Sequence, residues 1–155
     1  MTKNMIDRMT SSELIQKFLS ARDIAIAGVS RDKKKFGYKL FEHLRTHGYS
    51  VHPVHPEATQ IDGVACNPSI AGIPQTVRNL FVATPRRATD ALMEQVANRR
   101  FEIIWFQQMS ETQKSIQIAK DTGAEVITGR CLFMFVDPKG AHGFHRFLMR
   151  MFGRI

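Results

Sequence analysis

Asp23-Ile-Ala-Ile-Ala-Gly-Val-Ser-Arg-Asp-Lys-Lys-Lys-Phe-Gly37 is the stretch on which the fold turns. Its first seven residues, Asp23 to Val29, form a short apolar run without polar alternation, the pattern of a strand covered on both faces. Gly28 and Ser30 end the run, Arg31, Lys33, Lys34 and Lys35 follow, and Gly37 stands at the mouth of a new periodicity. Leu40, Phe41 and Leu44 recur there at helical spacing until Gly48 stops the pattern. Tyr49 to Val54 then reads as a second strand, broken by Pro53 and Pro56. Residues 23–54 are therefore one βαβ unit.

The alternation continues outward in both directions. Upstream, Thr10 and Glu13 make a capping-box pair opening a helix over Ser11 to Ala21, with Leu14, Ile15, Phe18 and Leu19 on one face. Downstream, residues 57–75 are irregular, with one short strand around Val64. Asn79 to Thr84 is a strand, Pro85 a first helical residue, and Ala88 to Asn98 a helix carrying Leu92, Met93 and Val96. Phe101 to Phe106 is a strand, Ser110 with Gln113 caps a helix from Glu111 to Thr122, Gly123 ends it, and Glu125 to Thr128 is a further strand. Repeated strand and helix imply a parallel sheet with right-handed crossovers and helices on both faces.

Composition limits what such a domain does. The chain has 155 residues, 43% hydrophobic and 23% charged, in short apolar runs rather than one membrane span. Its start, Met1 to Thr10, lacks the apolar core of a secretion signal, so a cytoplasmic protein without integral membrane association is expected. Cys66 and Cys131 sit in neither a CxxC nor a zinc spacing, which gives two free thiols and no structural metal. A net charge of +8 and a pI near 9.9 call for an anionic partner: a phosphorylated small molecule, a nucleic acid or an acidic membrane surface.

In open parallel sheets ligands bind beyond the carboxyl ends of the strands. The loops leaving those ends are 28–37, 53–57, 84–87, 107–110 and 129–131. The first has a sharp glycine turn, Ser30 as a hydrogen-bond donor to phosphate, Arg31 and three lysines, and Gly37 at a helix start, which together suit a pyrophosphate. Its spacing departs from GxGxxG, since Ser30 takes the second glycine position and the third glycine comes only at Gly37. No acid closes strand two to grip a ribose; Glu57 is the nearest carboxylate, beyond two prolines. A simple NAD site is disfavoured.

Ile24-Ala-Ile-Ala-Gly-Val-Ser30 with Lys35-Phe-Gly37, then Gly48-Tyr49, Pro53-Val-His-Pro56, Gly63, Ile73-Pro74, Trp105-Phe-Gln107 and Arg130-Cys131, resemble the stand-alone CoA-binding domain proteins. These are similar to the nucleotide domain of the succinyl-CoA synthetase alpha subunit. The resemblance covers about Asp23 to Pro138 and implies an α/β, Rossmann-like three-layer domain with a mostly parallel sheet. It further implies coenzyme A as cofactor, with Gly28, Val29 and Ser30 at the phosphates and Lys35 and Phe36 beside the adenosine end. Pro53 belongs to the strand-two loop, Thr84 and Pro85 to a loop beside the pantetheine arm. With Arg31, Gly37 and Gln107 from the strand-end loops, these are the candidate binding residues. The chain departs from the family pattern at His55, where asparagine is usual, at Gln108-Met109, where a glycine is usual, and at Val77-Arg-Asn79. The synthetase's phosphohistidine belongs to a second domain, so no catalytic residue carries over.

Other residues invite bland readings. Cys131 beside Arg130 is read first as a structural thiol and second as a partner for the CoA thiol. His52 and His55 lie at an odd spacing on an extended strand, and His142 and His145 lack a third ligand, so neither pair is read as a metal site. Phe144, Phe147, Leu148, Met151, Phe152 and Ile155 form one helical stripe, with Arg146, Arg150 and Arg154 elsewhere on the helix. That stripe is expected to pack on the domain or on a sister subunit in a homo-oligomer, with a membrane surface as the alternative. The expected organisation is a helix in 1–22, the CoA-binding domain in 23–138 and a basic amphipathic helix in 139–155. The expected function is binding of CoA or an acyl-CoA without catalysis of its own. The rivals are an NADP-dependent oxidoreductase and a basic nucleic-acid-binding module; core-periodic aromatics speak against nucleic acid as partner.

Overall fold

In a computed structural model that describes residues 9–137, five parallel strands form one sheet: β1 (Asp23–Ala27), β2 (Ser50–Val54), β5 (Asn79–Val82), β6 (Ile103–Gln107) and β7 (Glu125–Arg130). Their order is β2-β1-β5-β6-β7. A hairpin, β3 (Gln60–Ile61) with β4 (Val64–Ala65), replaces the single short strand expected near Val64; Asp62 and Gly63 turn it with positive φ of 48° and 77°. The stripe at 144–155 and its helix lie outside the described residues, as does the stretch before Met9. No helix among the described residues is long and apolar enough to cross a membrane.

The run without alternation has the predicted cause. Successive strand residues point to opposite faces, and here both faces are covered. Ile24, Ile26, Phe81, Ile103, Trp105 and Ile127 meet α1 (Ser11–Ser20) and α2 (Phe36–Thr46) in one core cluster. Ala25, Ala27, Leu80, Val82, Ile104 and Phe106 meet α3 (Arg86–Val96) and α4 (Gln113–Asp121) in the other. Phe18 of α1 stands edge-on to Trp105, with ring centroids 5.2 Å apart, and the Trp105 indole N–H donates to the Arg130 carbonyl at 3.1 Å.

Three local expectations change. Pro53 does not break β2 but pairs with Ile26 inside it; β2 lies at the edge of the sheet, where a missing N–H is tolerated. Pro85 is the N-cap of α3 rather than its first residue. The cap of α4 is Thr112 with Ser115, not Ser110 with Gln113: the Thr112 hydroxyl accepts from Ser115 N–H at 2.9 Å, and Ser115 Oγ accepts from Thr112 N–H at 2.8 Å. Residues 107–110 are consumed by a turn, with Ser110 N–H donating to the Gln107 carbonyl, so the helix starts later.

This topology positions a site. From β1 the chain leaves through α2 toward β2 on one side; from β5 it leaves through α3 toward β6 on the other. The loops after β1 and β5 therefore diverge from neighbouring strands and leave a crevice at the carboxyl edge.

Candidate functional site

The floor of the crevice is backbone packed on backbone. Gly28 has φ +96°, and a Cβ on it would lie 2.5 Å from the Ala83 carbonyl carbon. A Cβ on Gly37 would lie 2.0 Å from the Gly28 carbonyl oxygen. Only hydrogen fits at either position, so the end of β1, the start of α2 and the end of β5 touch there. Loop 28–37 is held by its own turns: Asp32 N–H donates to Ser30 Oγ at 3.0 Å, Lys34 N–H to Asp32 Oδ1 at 2.9 Å, and Lys35 N–H to the Asp32 carbonyl at 3.0 Å.

The helix ends differ in a way that matters for charge. Thr10 with Glu13 caps α1 and Thr112 with Ser115 caps α4. Helices α2 and α3, whose N-caps are Lys35 and Pro85, carry no side-chain cap, and both N-caps line the crevice. Unsatisfied N–H groups and the positive end of the helix dipole thus open from two helices onto one space.

That space is a cleft of about 420 Å³. Gly28, Ser30, Lys35, Phe36, Gly37, Thr84, Pro85 and Gln107 all line it, as do Ala83, Gln108, Met109 and Ser110, which were not among the candidate residues. Val29, Arg31 and Pro53 are not in the lining. Val29 is buried, Pro53 lies within β2, and Arg31 turns outward to an exposed ion pair with Glu57 at 3.0 Å. Lys33 lies 4.0 Å from Asp62, which also accepts the Tyr38 hydroxyl; that bond above all pushes the Tyr38 phenol up to about 12. Of the loop's cations, Lys35 alone lines the cleft. Ala83 had no side-chain signal, since it is its backbone that meets Gly28; Met109 had one, for it stands in the segment where the family pattern has a glycine and it adopts a positive φ.

The loop after β6 supplies a different chemistry. Gln107 is only 3% exposed, and both polar atoms of its carboxamide lack a well-aligned hydrogen bond, with the Cys131 thiol as a weak neighbour. Burial pushes that thiol up more than the contact with Gln107 lowers it. Met109 adopts φ +73°, a conformation that costs a residue with a Cβ about 1–2 kcal/mol, and it remains 55% exposed. On the β2 side, His55 Nδ1 accepts from Glu57 N–H at 3.1 Å and Ala58 N–H at 2.9 Å, so the imidazole holds the turn there. His52 instead meets Asp23 at 2.5 Å.

Comparison with known proteins agrees with this architecture. The family model for the CoA binding domain matches residues 22–137. The alpha subunit of an ADP-forming acetate–CoA ligase II from Pyrococcus furiosus is 32% identical over 75 residues, which are 48% of this chain and 16% of that subunit. The chain thus spans only a small part of the curated relatives it matches. Among solved structures, a Thermus thermophilus protein superposes with a TM-score of 0.73 at 26% identity, covering 81% of this chain and 96% of that one. A conserved hypothetical protein from Pyrococcus furiosus gives 0.69, also at 26%, covering 73% and 97%. With the family model spanning the whole sheet and the loops of the cleft, the chain belongs to the CoA-binding domain family.

Proposed function

We propose that the cleft binds coenzyme A or an acyl-CoA through its phosphorylated nucleotide portion, and that the domain serves as a binder without catalysis of its own. The observation that carries the reading is the pair of uncapped helix N-termini, with Lys35 at one of them, opening onto the glycine-floored cleft. Two N-termini and an ammonium group suit a pyrophosphate, each phosphoryl taking backbone N–H groups that the fold leaves unpaired. Charge gives the ligand a direction. Lys35 brings its ammonium group to the cleft at the start of α2, where a phosphate finds a partner, while Gln107 to Ser110 after β6 carry no charge and suit an uncharged arm.

Two side chains support the reading of a binder. The Ser30 hydroxyl is engaged by Asp32 N–H, and the Cys131 thiol is pushed away from its reactive anion by burial. Mass spectrometry of the small molecules retained by the natively purified protein tests the proposal without presuming a ligand. CoA or one of its thioesters is expected; a nicotinamide dinucleotide or an oligonucleotide in its place would overturn the reading.

A further inference from the structure

The two edges of the sheet are finished differently. At β2 the outward side is used up: Pro53 has no N–H to offer, its carbonyl accepts from Asn67 N–H at 2.8 Å, and His55 N–H donates to the Asn67 carbonyl at 2.9 Å. At β7 that side is open. Glu125 N–H donates to the Glu102 carbonyl at 2.9 Å and Ile127 pairs with Trp105, so these two residues turn their backbone groups toward β6. Val126 and Thr128 turn theirs away, and among the described residues those groups meet no hydrogen-bond partner. Unpaired N–H groups and carbonyls thus stand in a row along the edge, a template for another strand.

The ends of that row carry opposite charges. Glu125 opens β7 and Arg130 closes it; both are exposed, and neither forms an ion pair among the described residues. Gly129, at φ +68°, lies in a bulge, where the register shifts between the pairs Trp105–Ile127 and Gln107–Arg130. The extra residue returns the Arg130 side chain to the face shared by Ile127 and Glu125.

Antiparallel pairing of two such edges about a two-fold axis through Ile127 satisfies both features. Val126 of one copy then lies opposite Thr128 of the other, and the two pairs exchange backbone hydrogen bonds. Glu125 of each copy lies beside the Gly129–Arg130 bulge of the other, so opposite charges meet at both ends. An axis at Val126 would set Glu125 opposite Ile127, and an axis at Thr128 would set Arg130 there; either loses the ion pairs. The bulge and the charges, which discourage open-ended pairing, therefore fix one register.

We propose that β7 is the interface of a homodimer in which two copies of this chain join their five-stranded sheets edge to edge. The occupant is a second copy because the charge pattern is complementary to itself under a two-fold. Closure leaves β2 at both outer ends, where Pro53 and Asn67 stop further addition. The inference does not rest on the CoA reading.

Sedimentation equilibrium of the full chain tests it. The intact protein is expected at twice the 17.7 kDa of one chain. Thr128→Pro removes an outward N–H and no bond to β6, and Arg130→Glu sets like charges together at both ends of the ladder. Each is expected to weaken the dimer about tenfold or more while the circular dichroism stays that of the intact protein. Glu125→Arg combined with Arg130→Glu restores opposite charges and should recover the dimer, a readout that stands even if Thr128→Pro fails to fold. A monomeric intact protein would overturn the proposal. So would a dimer that withstands Arg130→Glu, one that the double reversal fails to restore, or one lost only when residues 144–155 are removed, which would put the interface in the C-terminal stripe.

Discussion

Gly37 shows how a single missing β-carbon builds the site. In a helix interior alanine is favoured over glycine by about 1 kcal/mol. Here the added carbon would stand 2.0 Å from the Gly28 carbonyl oxygen, so backbone must move. Overpacking outweighs propensity, and Gly37→Ala should destabilise the protein by about 2 kcal/mol in chemical denaturation while also weakening ligand binding. Lys35 is the opposite case, a cleft residue whose removal should leave the fold alone. A charge-assisted contact contributes about 1.5–3 kcal/mol when well formed, so Lys35→Ala should weaken CoA binding tenfold or more with an unchanged melting temperature in the absence of ligand. Equal losses for CoA and dephospho-CoA would assign the lysine to the pyrophosphate; a loss for CoA alone would assign it to the 3′-phosphate. Both residues are legible in the sequence because they stand at the junction of the first strand with the helix that follows, beyond the carboxyl end of the sheet. Arg31, equally prominent there, was not distinguishable from Lys35: its partner Glu57 lies across the loop after β2, a contact that spacing does not encode.

At the scale of elements, the sequence marked starts and stops wherever capping was local. Thr10 and Glu13 close α1 as the spacing predicts, whereas Ser110 and Gln113 have the same cap spacing but α4 is capped by Thr112 with Ser115, because the turn over 107–110, with its positive φ at Met109, delays the helix. Long-range ties were also silent. Arg99, 6% exposed, donates to the carbonyls of Pro74 at 2.7 Å and Val77 at 2.8 Å, fastening the segment before β5. Arg99→Met should cost about 1–3 kcal/mol, because it leaves the buried Val77 carbonyl without its guanidinium donor, while the Pro74 carbonyl still accepts from Val77 N–H. A second tie is sensitive to pH. The His43 Nε2–H of α2 donates to the Val136 carbonyl at 2.9 Å, and the ring packs against Phe133 with centroids 4.9 Å apart. Burial pushes His43 below the ordinary histidine value of about 6.5, aided by His47 and opposed by the Val136 carbonyl and Asp137. As pH falls from about 6.5 the unfolded chain takes up a proton that the folded chain resists, so stability is lost on acidification. Thermal midpoints measured between pH 7.5 and 5 should fall, and fall less steeply in His43→Gln.

For the whole molecule, layer architecture and the position of the cleft were legible because parallel strands buried on both faces leave apolar runs, and because crossovers have one hand. Strand order was not, since β2-β1-β5-β6-β7 depends on which side each crossover takes. The cleft joins four residues from the end of β5 and the loop after β6 to those expected, and its use as a CoA site should couple binding to global stability. At a ligand concentration a hundred times Kd the folded state gains about 2.7 kcal/mol, a rise of about 5–10 °C in Tm for a domain of this size. The measurement that bears most directly on the central claim is calorimetric titration of the intact protein with CoA, NAD and NADP side by side. Glycine spacing, the proline-bearing strand β2 and two uncapped helix N-termini lead us to expect CoA to bind at least tenfold tighter than either dinucleotide, a gap of about 1.4 kcal/mol. Equal affinities, or a dinucleotide bound more tightly, would contradict it.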